Sequence, residues 1–180
     1  MSQALCDLPA HRIVAGVKRG DFSAAEVLES TLARIEAVEG RPPGLEGEPA
    51  DGIGVHAFIS LTPERARTQA QAVDQALSRG EDPGPLAGVP LAVKDIFCLA
   101  GTPSTAGSRI LRNFVAPYSA TPAARLERAG AVTVGKTNLD EFTFGSSNES
   151  SAFQPSPRNP WDPTRPAPSA SRPPSAGWWG

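Results

Sequence analysis

Between residues 24 and 142, short β-favouring apolar runs alternate with helix-forming stretches, and Pro or Gly punctuates the switches. This alternation constrains the fold more than any other feature, because strands recurring between helices give each helix a shared sheet to pack on. It predicts an α/β layered fold. Ser23-Ala24-Ala25-Glu26 has capping-box spacing, and Val27, Leu28, Leu32, Ile35 and Val38 follow at helical intervals, so a helix is predicted over about 24–38. Gly40–Gly54, dense in Gly and Pro, reads as a loop. Val55–Leu61 reads as a strand, Thr62 as an N-cap and Pro63 as the first residue of a polar helix to about Arg79. Leu91-Ala92-Val93 is a short buried run that delivers Lys94 and Asp95 at its end. Thr121-Pro122 opens another helix, Gly130 closes it, Ala131–Val134 forms the next strand, and Asn138 is placed to cap a short turn through Leu139 to Phe142.

At 180 residues the chain is long enough for one ordinary domain with its own core. A net charge of −2 gives no broad positive field, so direct binding to a phosphate backbone is not expected. Cys6 and Cys98 fall in no metal-ligand spacing, and His11 and His56 stand alone, so no metal site is expected. Two unpaired cysteines, the lack of a basic-then-apolar leader and the lack of a long apolar run predict a cytoplasmic protein without a membrane segment. From Gln154 the texture changes: eight of the last 27 residues are proline, and nothing acidic follows Asp162. The end of the chain is expected to be disordered.

Gly130-Ala131-Val132-Thr133-Val134-Gly135-Lys136-Thr137 fits the phosphate-loop formula G-x-x-x-x-G-K-[ST]. The formula alone is not enough. A phosphate loop needs a strand before its first glycine and free backbone N–H groups between the glycines. Here the first glycine closes a helix and the intervening Ala-Val-Thr-Val favours a strand, so nucleotide binding is not expected and Lys136 is read as an anchor of local structure.

From Gly88 to Arg165 the chain carries, in order, GVPLAVKD, TAGSRIL, GAVTVGKTNLDEF, GSSNESSAF and NPWDPTR. This series resembles the amidase signature family. Asp140–Phe153, DEFTFGSSNESSAF, is most similar to its glutamine-hydrolysing members, which serve the conversion of Glu-tRNA(Gln) to Gln-tRNA(Gln). The resemblance implies a mixed sheet flanked by helices, of which residues 1–165 would be the incomplete N-terminal part. It implies that Lys94 is the catalytic base and that Phe144, Gly145, Ser146 and Ser147 line the pocket for the substrate amide. From the residues alone, Gly145 could equally turn the chain and the serines cap the next element.

In that family a glycine- and serine-rich run with a bridging serine follows NPWD, and the nucleophilic serine comes later; here RPAPSASRPPSAGWWG follows. Residues 166–180 are therefore read as an aberrant tail, from a shifted frame or a truncation. The chain is expected to lack both family serines and to be inactive alone. The implied partners are the B and C subunits of a heterotrimeric amidotransferase, with glutamine as substrate and tRNA reached only through the partner. No cofactor is assigned to this chain, ATP and magnesium being used by the partner. Two alternatives stay open: a fragment of a general amidase acting on small amides, and a non-catalytic remnant that binds a partner.

The chemistry suits a lysine. A carboxamide is a poor electrophile, so the attacking hydroxyl must lose its proton as it attacks, and a neutral amine can take it. Lysine becomes neutral near physiological pH only when buried in a dry, crowded site.

Overall fold

A computed structural model describes residues 3–39 and 54–153, with the single positions 45 and 157. Most of the Gly40–Gly54 segment and nearly everything after Phe153, including the segment read as an aberrant tail, lie outside the described residues. Four helices and three strands form the frame: α1 (Ala10–Arg19), α2 (Ala24–Glu39), β1 (Phe58–Leu61), α3 (Pro63–Ser78), β2 (Pro90–Lys94), α4 (Thr121–Arg128) and β3 (Val132–Thr137). The sheet order is β1-β3-β2, with β3 antiparallel to β1 and parallel to β2, so the sheet is mixed. The parallel pair requires a crossover, and α4 lies within it.

The capping box forms as read: the Ser23 N–H donates to Glu26 at 2.8 Å, and the Glu26 N–H donates back to the Ser23 hydroxyl at 3.1 Å. The next two N–H groups of α2, on Ala24 and Ala25, donate to the carboxylate of Asp74 on α3, which fixes the two helices against each other. Val27, Leu28 and Ile35 of α2 meet Ala66, Ala70 and Val73 of α3 over Val132 and Val134 of β3, and Ile13 and Val17 of α1 complete this core. Each fully buried Val or Leu contributes about 1.5–3 kcal/mol against leaving it in water. The small alanines on α3 let α2 approach closely. On β2, Val93 packs with Leu99 and Ala123 of α4 in a second cluster.

Three details differ from the sequence reading. First, α1 is an addition to it: Pro9 and Gly20 bracket the helix, and Ile13, Gly16 and Val17 are its buried residues. Second, Thr62 sits at the N-cap of α3, but its hydroxyl donates to the Thr133 carbonyl at 3.0 Å and not to the helix. Third, Asn138 caps no turn. The short turn is Glu141–Thr143 with Asp140 before it, while Asn138 accepts from the Leu139 N–H and donates to the Phe153 carbonyl. Gly130 does end α4, at φ +94, where an added side chain would meet the Pro83 carbonyl at 2.6 Å.

One buried carboxyl belongs to this frame. Glu39, 3% exposed at the end of α2, accepts from the N–H groups of Ala57 and Phe58 as the chain enters β1. Burial pushes its pKa up, and the two N–H bonds only partly offset that.

Candidate active site

Lys94 is the last residue of β2 and is exposed at the carboxyl end of the parallel pair. In open α/β sheets, crevices at that end are where ligands bind. The next residue goes the other way. Asp95 is 1% exposed, and its N–H donates to Thr137 of β3 at 3.0 Å. A strand-ending Val-Lys-Asp allows the lysine to pair with the next carboxylate. It does not: Asp95 Oδ1 is held at 2.6 Å by the Nζ of Lys136, and both side chains are wholly out of solvent. Among the described residues Lys94 has no ion-pair partner.

Lys136 thereby takes a definite place. Its ammonium donates to Asp95, to the Ser104 hydroxyl at 3.0 Å and to the Pro103 carbonyl at 3.3 Å. Asp95 Oδ2 accepts from the N–H of Thr105 at 2.9 Å and from its hydroxyl. The residues between Gly130 and Lys136 lie largely in β3, and the Thr133 N–H is taken by Gln69, so no phosphate cradle exists at this formula match. A register slip in β3 opposite Leu91 and Ala92 leaves Val134 without a partner on β2. Regular alternation would put Lys136 on the same face as Val132 and Val134; with the extra residue its partners all lie outside the α1–α3 core.

The segment after β3 forms around a second carboxylate. Asp140, 3% exposed, accepts from the N–H groups of Ser147, Asn148 and Ser150 at 2.9–3.1 Å and from the Ser150 hydroxyl at 2.7 Å. The Ser150 N–H is the main cause, followed by its hydroxyl and the other amides, that holds Asp140 below the usual carboxylate range. The loop closes so tightly that a Cβ on Gly145 would lie 2.5 Å from Asp140 Cγ. Phe142, Thr143 and Asn148 hold left-handed backbone to complete the wrap. Of the two serines in that loop, Ser147 gives its N–H to Asp140 and its hydroxyl to Glu149.

These parts form one hydrogen-bonded unit. The Ala106 N–H donates to the Asp95 carbonyl, Phe142 to Ala106, and Ala152 to Gly107. Lys94 and the Phe144–Ser147 loop therefore share the carboxyl end of the sheet, linked through residues 104–108. Phe144 is 91% exposed there. The hydroxyls of Ser147, Ser150 and Ser151 donate to Glu149, Asp140 and Asn138 respectively. Sequence reasoning did not find Asp140, because its partners seven, eight and ten residues on follow no helical or strand period.

Comparison with known proteins fits this geometry. The Amidase family model matches residues 53–171. The A subunit of the glutamyl-tRNA(Gln) amidotransferase from Gloeobacter violaceus is 52% identical over 140 residues, covering 78% of this chain and 26% of its own length. Among solved structures, the native peptide amidase from Stenotrophomonas maltophilia matches with TM-score 0.71 and 31% identity over 84% of this chain and 30% of its own. A structure described as a vestigial protein complex that reveals the origins of an s-triazine catabolic enzyme matches with TM-score 0.73 and 37% identity, again over 30% of its own length. The chain thus spans under a third of each of these relatives.

Proposed function

The chain belongs to the amidase family, and from that premise we propose that Lys94 is the base of a site that opens the side-chain amide of glutamine to supply ammonia for making Gln-tRNA(Gln). One observation carries the reading: among the described residues Lys94 makes no ion pair at the carboxyl end of β2, while Lys136 neutralises the adjacent Asp95. An amine locked to Asp95 would hold its proton. An amine spared that contact can be made neutral once the site around it is closed, and can then take the proton of an attacking hydroxyl. The preformed Phe144-Gly145-Ser146-Ser147 loop would receive the amide.

In this proposal the hydroxyl comes from the two family serines, which this sequence does not carry, and the 180-residue chain alone hydrolyses no glutamine. Its partners would be the B and C subunits, in the cytoplasm; ATP, magnesium and tRNA would be handled by a partner, and this chain would use no cofactor. The identity to the amidotransferase relatives favours glutamine; the likeness to peptide amidase keeps small amides as the second reading. The test is ammonia release by the purified chain from glutamine and from simple carboxamides. Background rates are expected. Hydrolysis that survives Lys94→Ala would place the chemistry elsewhere, and hydrolysis abolished by it would show that a serine within this chain is the nucleophile.

A further inference from the structure

The loop that carries Phe144–Ser147 is pinned at both ends to two successive peptide groups. The Phe142 N–H donates to the Ala106 carbonyl at 2.8 Å, and the Ala152 N–H donates to the Gly107 carbonyl at 2.8 Å. Those two residues hold an uncommon backbone. Ala106, 6% exposed, has φ +51, a left-handed conformation that a residue with a Cβ keeps only where its surroundings impose it. Gly107 follows at φ +69, so close to Leu139 that a Cβ there would lie 2.7 Å from its carbonyl oxygen. Both belong to the run TAGSRIL, to which the amide-opening chemistry gives no task of its own.

Thr105, 1% exposed, ties this segment to the end of β2. Its N–H donates to Asp95 Oδ2 at 2.9 Å, and its hydroxyl donates to the same oxygen while accepting from the Gly107 N–H at 3.2 Å. The Ala106 N–H donates to the Asp95 carbonyl at 3.3 Å. Asp95 is peptide-bonded to Lys94, so one buried hydroxyl joins the residue after the lysine to the peptides from which the loop hangs. The loop keeps its own shape on Asp140; where it stands relative to Lys94 depends on this bridge. A misplacement of about 1 Å between reacting groups can cost about 10²-fold in rate. On the reading of Lys94 as the base and of Phe144–Ser147 as the amide-receiving loop, we propose that Thr105 is a positioning residue for amide opening, its hydroxyl fixing that loop relative to Lys94.

The first measurement uses the 180-residue chain as it stands. Thr105→Val keeps the outline of the side chain and removes its donor and acceptor, so amide exchange at Phe142 and Ala152 should accelerate several-fold while the α2 amides keep their protection. Thr105→Ser retains the hydroxyl and should exchange like the parent. The second measurement grafts residues 1–153 onto the rest of the Gloeobacter violaceus relative, assembled with that relative's partner subunits. There Thr105→Val should lower kcat for glutamine hydrolysis about 10–100-fold, with KM and the transfer of externally supplied ammonia near the parent values, because the loop itself stays built on Asp140. Thr105→Ser should return kcat close to the parent. Where Thr105→Val does not fold, Thr105→Cys takes its place; its thiol is the weaker donor, and kcat should again fall with KM held. Unchanged exchange at Phe142 and Ala152, or a folded variant without the hydroxyl that keeps the parent kcat, overturns the proposal. Equal loss of hydrolysis and ammonia transfer overturns it as well, since that is the mark of a merely structural role. Lys94→Ala in the same graft separates the two readings. Hydrolysis that survives it refutes Lys94 as the base and takes the role of Thr105 with it, whereas hydrolysis lost in Lys94→Ala but kept in Thr105→Val refutes Thr105 alone.

Discussion

Replacing Lys136 by methionine should destabilise the chain more than any other single change of a charged residue. The methionine fills much of the same volume, so the loss is electrostatic. Asp95 would keep the N–H and hydroxyl of Thr105 but lose the ammonium that neutralises it, while Ser104 and the Pro103 carbonyl lose a donor. With both side chains at 0% exposure, water cannot take the place of the ammonium. Removing one partner of a buried pair costs about 3–5 kcal/mol, a large part of the ~5–15 kcal/mol that holds a domain folded. With a urea m-value of ~2 kcal/mol/M the midpoint should fall by about 2 M. The assay is urea unfolding followed by far-UV circular dichroism. Lys136→Met combined with Asp95→Asn should recover part of the loss, because no charge is then stranded and the asparagine oxygen still accepts from Thr105. Lys18→Met, which breaks the exposed pair with Asp82, should leave the midpoint where it is. A midpoint for Lys136→Met within about 0.5 M of the parent would refute the buried-anchor account.

Three further outcomes are expected. Gly145→Ala places a methyl against the Asp140 carboxylate, so amide exchange at Ser147, Asn148 and Ser150 should accelerate several-fold while the α2 amides keep their protection; unchanged exchange would mean the loop is not built on Asp140. Glu39 has a raised pKa when folded, so its contribution to stability is full below the ordinary glutamate pKa and is lost as pH rises through the raised value. The stability of Glu39→Gln relative to the parent should therefore improve between acid and neutral pH, and a difference that stays flat in urea titrations would contradict the burial argument. Mg-ATP should give no binding heat in isothermal titration, and a micromolar signal lost in Lys136→Ala would restore the phosphate-loop reading.

Where local chemistry decides the structure, the sequence was legible. The capping box, the proline-started helices and the glycine-closed α4 are all present, and the strands lie where β-favouring runs stand, though β1 is shorter at its start and β3 longer at its end than read. The mixed sheet agrees with what the resemblance implied. The parts that sequence could not give depend on partners distant along the chain. Lys136 and Asp95 are 41 residues apart, and neither residue's pattern names the other. Thr62 has the pattern of a cap, but β3 offers its hydroxyl a carbonyl 71 residues away. α1, with Ile13 and Val17 one turn apart between Pro9 and Gly20, was open to the same periodicity reading and was missed.

In the function proposed above, Lys94 serves amide opening and not the transfer of ammonia. This is tested most directly in the graft of residues 1–153 onto the rest of the Gloeobacter violaceus relative, assembled with that relative's partner subunits. Ammonia release from glutamine and transfer of externally supplied ammonia to Glu-tRNA(Gln) are measured side by side. Lys94→Ala should lower glutamine hydrolysis by about 10³-fold or more while leaving the ammonia-dependent transfer near the parent rate. Glutamine hydrolysis that persists in Lys94→Ala, or equal loss of both activities, would contradict the account.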